Sequence, residues 1–257
     1  MVGRRLAGSV AGGHTVAMSE NEPQVFGDVD LSDAVFRETF MPRVRMTGVV
    51  LIDAVIDGLI ENLTVNGVEV TAYVQSELDR RFPVRRLLRS SDPDHLRAGW
   101  AILMEAWQET TKRIAALGED KQHAQVNGEW SAVETLRHLV FVCDGWFRWS
   151  VLGIASAFHP IGLAPVFVPD QAEMGLDAHA RPSLAEVVAI RAAQQRQVSD
   201  FLAGLTIAAL DRHASAPDRP GWPLDPEQHT MLACLHVLLE EEFAHHQYCV
   251  RDLATLS

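Results

Sequence analysis

From Leu232 to Leu253 one stripe of the chain reads Leu232, Leu235, Leu239, Glu242, His246, Cys249, Leu253, at alternating steps of three and four. That rhythm is the seam of an α-helix packed in a bundle. Two of its members, Glu242 and His246, are not core residues by chemistry. They stand at i and i+4, so their side chains meet on one face. A carboxylate beside an imidazole on an inward stripe is costly unless something pairs with them. A divalent metal ion is one such partner, and an ordinary polar pair is the plain alternative.

The neighbouring pair, Glu241 and His245, has the same spacing but lies about 100° round the helix, off the Leu235–Leu239 stripe.

Three more helices of similar length are expected. The first runs from Pro93 to Leu117, with Asp92 as N-cap, a stripe of Leu96, Trp100, Leu103, Trp107, Thr110 and Ile114, and Gly118 to end it. The second opens at Ser131 with Glu134 three residues on, a capping-box pattern, and continues to about Leu152. It is apolar on most sides and should be the most buried. The third opens at Ser183 with Glu186 in the same relation and ends near Leu205; the fourth spans about Glu227 to Leu253. Four such helices make a four-helix bundle. The connection from the second to the third is about thirty residues long, with Pro160, Pro165, Pro169 and Pro182. It is long enough to cross the bundle and leave those two helices parallel.

Upstream the chain beats in fives: Leu31, Phe36, Met41, Met46, Leu51, Ile56, each with a small or β-branched residue two positions before it. The beat slips by one at Ile60, Val65 and Val70. Five fits neither a helix nor a strand. It fits a short solenoid, one side of a square coil per unit, which must lean on something else for stability; an irregular β-meander is the alternative. The expected organisation is a disordered head over 1–25, with Met18 a candidate start, a pentapeptide-like β segment over 26–70, a helical connector over 71–91 and the bundle over 92–257.

A net charge of −12 argues against nucleic-acid binding, which needs clustered Lys and Arg. The densest basic stretch, Arg80, Arg81, Arg85, Arg86 and Arg89, reads as a solvated helix face. Three cysteines, Cys143, Cys234 and Cys249, have no ligand-like spacing and read as small buried hydrophobes in a reducing compartment. Arg4 and Arg5 before Leu6–Ala11 imitate a signal peptide, but the apolar run is short and interrupted by Gly8. No run approaches the ~18 apolar residues of a membrane span. A cytoplasmic protein is expected, with no membrane partner.

Five of the eleven histidines lie in loops: His14, His123, His159, His179 and His213. His138 instead sits on the second helix, on a stripe of Ser131, Thr135, His138, Val142, Gly145 and Trp149. His138, Glu242 and His246 form a His₂–carboxylate set that zinc accepts, with a fourth position left open. Nickel, iron(II) and manganese accept it too. Thr135, Trp149 and His159 are candidates for pocket lining, and Glu241 for a catalytic assistant.

Trp130-Ser131 … Glu134-Thr135-Leu136-Arg137-His138-Leu139-Val140-Phe141, with Glu241-Glu242-Phe243-Ala244-His245-His246-Gln247-Tyr248 … Arg251-Asp252-Leu253, resembles the DinB-like metalloprotein superfamily over residues 92 to 256. The stretch before it is similar to actinobacterial members with a pentapeptide-like lead-in. The resemblance implies a crossed four-helix bundle and one metal, held by a helix-two His and a last-helix pair four residues apart. Most of the superfamily has His in both places of that pair; here Glu242 takes the first. Mycothiol-dependent maleylpyruvate isomerase, a relative, uses His, Glu and His around zinc. On that resemblance the expected function is metal-dependent transfer of a thiol such as mycothiol to a small electrophile, or an isomerisation using that thiol. A hydrolase using metal-bound water and a non-catalytic metal-binding stress protein are the alternatives. Superfamily members often dimerise, although no symmetric patch is legible here.

Overall fold

The computed structural model describes residues 24–37, 39, 41–215 and 217–256. The expected head lies outside them save for its last two residues, as does Met18. The chain divides into two compact units, one ending at Ala72 and the other beginning at Tyr73.

In the first unit the five-residue beat appears in the backbone. Left-handed residues recur at Asp28, Asp33, Arg43, Gly48, Asp53 and Gly58. Each stands just before the small or β-branched residue, or at Gly58 before Leu59, where the chain must turn. Two of these turns are closed by i→i+3 bonds, Ala34 N to Leu31 O at 3.0 Å and Val44 N to Met41 O at 3.5 Å.

Solenoid ladders are not formed among the described residues. The sheet there is a single antiparallel hairpin of β1 (Thr64–Val65) and β2 (Val68–Glu69). Asn66 and Gly67, with φ of 49° and 82°, make its two-residue turn. The slipped beat at Val65 and Val70 is therefore a hairpin, because Asn-Gly supplies both left-handed positions. The large residues at the beat also remain exposed, Leu51 and Ile56 at 60%.

The second unit is helical. α1 (Thr71–Arg81), whose first two residues precede it, and α2 (Val84–Leu88) form the connector. Its arginines mostly form ion pairs, Arg80 and Arg81 with Glu77, Arg85 with Asp79, Arg89 with Glu240. α3 (Pro93–Ala115) starts where Asp92 accepts from Asp94 N at 2.8 Å. A short α4 (Glu119–Gln122) follows. α5 (Ala132–Val142) opens on the capping box, Glu134 N to Ser131 Oγ at 3.3 Å and Ser131 N to Glu134 Oε2 at 2.8 Å. Nine of its residues are buried, which makes it the central helix.

α5 does not run as regular helix to Leu152. It passes into a π-helical stretch, Cys143–Trp149. Such a widened turn re-aims the side chains it carries, and here it carries the buried Asp144. Gly145 lets the Trp222 carbonyl approach so closely that a Cβ would lie 2.6 Å from its oxygen.

α6 (Leu184–Ala203) opens on the Ser183–Glu186 box, and the short α7 (Ile207–Leu210) follows. α8 (Met231–Leu256) starts later than the sequence suggests. Pro226–Gln228 forms a separate 3₁₀ turn, and Thr230 Oγ1 accepts from Ala233 N at 3.2 Å, as a cap does.

Side-chain pairs give the helix directions. Trp107 meets Glu242 and Thr110 meets His246, so α3 and α8 run parallel. Trp100 meets Ser199 and Arg97 meets Leu202, so α3 and α6 run antiparallel. Trp130 faces His245 and His138 faces Glu241, so α5 and α8 run antiparallel. α5 and α6, packed on each other, are therefore parallel, as a crossing connection requires. Leu96, Leu136, Leu139, Val187, Val198, Leu235 and Leu238 meet in the core. The crossover keeps a smaller core of its own, Ala164, Val168, Met174 and Leu176 against Phe141 and Trp222.

Candidate metal centre

α8 is wrapped by neighbours on more than one side, so two adjacent stripes of it face inward. The Glu242–His246 stripe faces α3 and α6. Glu242, 1% exposed, receives both ends of the Arg191 guanidinium, at 3.1 and 2.8 Å. Arg191 lies over the Trp107 ring at 5.3 Å, and Trp107 Nε1 donates to the Glu242 carbonyl. His246 Nε2 meets Thr110 Oγ1 at 2.9 Å, and its ring packs edge-on to Trp107. The buried carboxylate and imidazole thus find partners within the protein.

The next stripe faces α5. There His138, Glu241 and His245 come together, with one ligand atom from each within 4.8 Å of the others. The structure brings His138 to Glu241 and His245, not to Glu242 and His246. One residue on a helix is about 100° of rotation. That rotation decides which neighbouring helix the pair meets.

The hydrogen bonds fix what these rings offer. His138 Nδ1 lies 3.1 Å from the Leu163 carbonyl, and His245 Nδ1 lies 2.9 Å from the Glu241 carbonyl. A carbonyl only accepts, so both Nδ1 atoms carry the proton and donate. Each Nε2 is then a lone pair when the ring is neutral. Burial, and to a lesser degree the adjacent His138, push His245 down to about 4 against the opposing pull of Glu241, so its ring is neutral at pH 7. His138 Nε2 lies 3.4 Å from Glu241 Oε2. The same Glu241 oxygen lies 3.3 Å from His245 Nδ1, so both rings meet the one carboxylate. Two imidazoles and a carboxylate gathered in this way fit a divalent metal.

The surroundings are aromatic on one side and wet on another. Trp130 covers both rings, with centroids 4.7 Å from His138 and 6.3 Å from His245. Tyr248 meets His245 edge-on at 5.5 Å. His138 is buried, whereas the Glu241 side chain is 37% exposed. Solvent therefore reaches the cluster past the carboxylate. An ion pair of Arg251 with Glu129 ties the start of α5 to α8 beside Trp130.

The candidate lining residues are spread out. Thr135 borders a small cavity with Trp130, Cys249 and Asp252, beside the cluster. Trp149 packs on Phe158 and lines a different cleft, with Pro217, Arg219 and Pro226. His159 is bound into the crossover, its N–H donating to Asp144 Oδ2 at 2.8 Å. The cysteines are all buried and free, as the sequence suggests. Burial raises Cys143 well above the usual thiol range and Cys234 and Cys249 to about 12, so none is a ready nucleophile.

Asp144, Gln194 and Arg191 were not legible as polar core residues, yet a signal existed. The α6 seam reads Leu184, Val187, Arg191, Gln194, Val198, Leu202. Its two polar members are the same kind of exception as Glu242 and His246, and Arg191 and Glu242 answer each other.

Residues 102–249, more than half of the chain, match the family model of the DinB superfamily. The chain belongs to that superfamily: a mainly helical protein with a His/Glu group able to hold a metal ion. No curated protein and no solved structure matches it.

Proposed function

We propose that this protein holds one divalent metal, zinc by donor preference, through His138, Glu241 and His245. We further propose that it transfers a low-molecular-weight thiol of the mycothiol type to a small electrophile, or uses that thiol to isomerise it. The observation that carries the reading is the convergence of two imidazoles and a carboxylate from two helices, with one ligand atom from each within 4.8 Å of the others. Three protein ligands leave a position for an exogenous molecule, which distinguishes a catalytic from a structural site. A bound ion supplies positive charge that lowers the pKa of a thiol or water beside it. The protein's own cysteines are buried and protonated, so the thiol must come as a co-substrate. Trp130 offers an apolar wall beside the cluster to the body of an incoming molecule, and the Glu241 side is its route. The five-residue turns of the first unit support a short pentapeptide-like lead-in.

The test is consumption of a haloaromatic or a bimane electrophile by zinc-loaded protein with and without mycothiol. Thiol-dependent loss, abolished by His138→Ala, is expected. Turnover of an ester or amide without thiol would instead favour hydrolysis. Metal binding with neither activity would leave a non-catalytic metalloprotein.

A further inference from the structure

Arg137 precedes His138 on the central helix and is only 4% exposed. A buried guanidinium is expensive to maintain and normally takes a carboxylate partner. This one spends its hydrogen bonds on backbone carbonyls of the crossover. Nε donates to Ile161 O at 2.8 Å and Nη2 to Asp177 O at 3.0 Å. These two carbonyls lie sixteen residues apart, on either limb of the crossover loop. Asp177 N donates to Pro160 O at 2.8 Å, so the limbs are also bound to each other beside the arginine.

Between those anchors lies Leu163. Its N–H donates to the Arg137 carbonyl at 3.1 Å, and its own carbonyl faces His138 Nδ1 at 3.1 Å. The loop therefore reaches the candidate metal centre through one backbone oxygen, and Arg137 holds the backbone that presents it. The partner of a ligating histidine's second nitrogen fixes both tautomer and ring orientation.

We propose that Arg137 is the positioning residue of the metal centre: by clamping Ile161 and Asp177 it sets the Leu163 carbonyl against His138 Nδ1–H and leaves the Nε2 lone pair facing Glu241 and His245. The inference rests on the metal reading given above. It assigns the crossover a task beyond connection, since the loop supplies the outer partner of a ligand borne by α5.

The test combines Arg137→Lys, which keeps the charge but not the two-armed reach, with Arg137→Met, which keeps the length. Zinc affinity by chelator competition should fall ~10–100-fold in both, with each still melting cooperatively. Nitrogen-15 NMR of the imidazoles in metal-free wild type should show His138 as the Nδ1–H tautomer, and this signature should be lost in the variants. The wild-type spectrum needs no variant to fold. An Nε2–H or averaged His138 in wild type would overturn the proposal. So would variants that melt lower yet bind zinc as tightly as wild type, the behaviour of a purely structural arginine. Failure of the wild type to take up zinc would sink the metal reading instead, and the tautomer result would still decide the clamp.

Discussion

Glu242 and Glu241 are adjacent, yet their environments ask opposite things of a carboxylate. Glu242 lies against a guanidinium that already supplies two donors and a full charge. Glu241 faces two imidazoles, His138 Nε2 at 3.4 Å and His245 Nδ1 at 3.3 Å, and no guanidinium. Glu242→Ala should leave Arg191 buried without its counter-ion and cost about 3–5 kcal/mol. Chemical denaturation measures this, and zinc uptake should persist as long as the protein is folded. A loss of zinc with unchanged stability would reverse the two roles. At this scale the sequence was informative about residue type, and the pair it favours stands one residue along from the pair that gathers with His138. It pointed to His138 and to a Glu/His pair four apart on the last helix. It could not tell which of two consecutive pairs meets α5. The apolar stripe marks where a helix is buried, not which neighbour covers each flank.

At the scale of elements, the caps were legible because they are local. Asp92, Ser131 and Ser183 each act within three residues of themselves. The π-helical stretch was not, because its reason is distant: Gly145 must clear the Trp222 carbonyl, and Asp144 must reach the loop. Asp144 accepts from Arg148 at 2.6 Å, from Gln194 at 2.8 Å and from the His159 N–H, yet burial outweighs these and raises its pKa to about 6. A carboxylate raised in the folded state contributes stability below its unfolded value, and that contribution is lost as pH rises through about 6. Asp144→Asn does not titrate. The stability advantage of wild type over Asp144→Asn should therefore grow as pH is lowered from 7 to 5. Urea unfolding at both pH values measures it; a constant or shrinking difference would show that Asp144 is not held this way.

At the scale of the molecule, the unit from Tyr73 onward contains the whole bundle core and all three residues of the candidate centre. A chain lacking residues 1–70 should stay soluble, melt cooperatively and take up zinc as the full chain does. Aggregation of that chain would show that the first unit covers part of the bundle. The crossed bundle was readable from helix length and the thirty-residue connection, because a loop that long with no periodicity has somewhere to go. The solenoid was read too far. A beat of five dictates where the backbone turns, and the left-handed residues obey it. It does not dictate that successive coils pair, and Asn66-Gly67 diverts the last of them into a hairpin.

The most direct measurement is metal content by mass spectrometry on protein purified without a histidine tag, for wild type, His245→Ala and His246→Ala side by side. Near one metal per chain in wild type and in His246→Ala, with His246→Ala merely less stable, and loss of the metal in His245→Ala is the expected result. Metal retained by His245→Ala and lost from His246→Ala would contradict the centre described here, and a metal-free wild type that takes up no added zinc would remove it altogether.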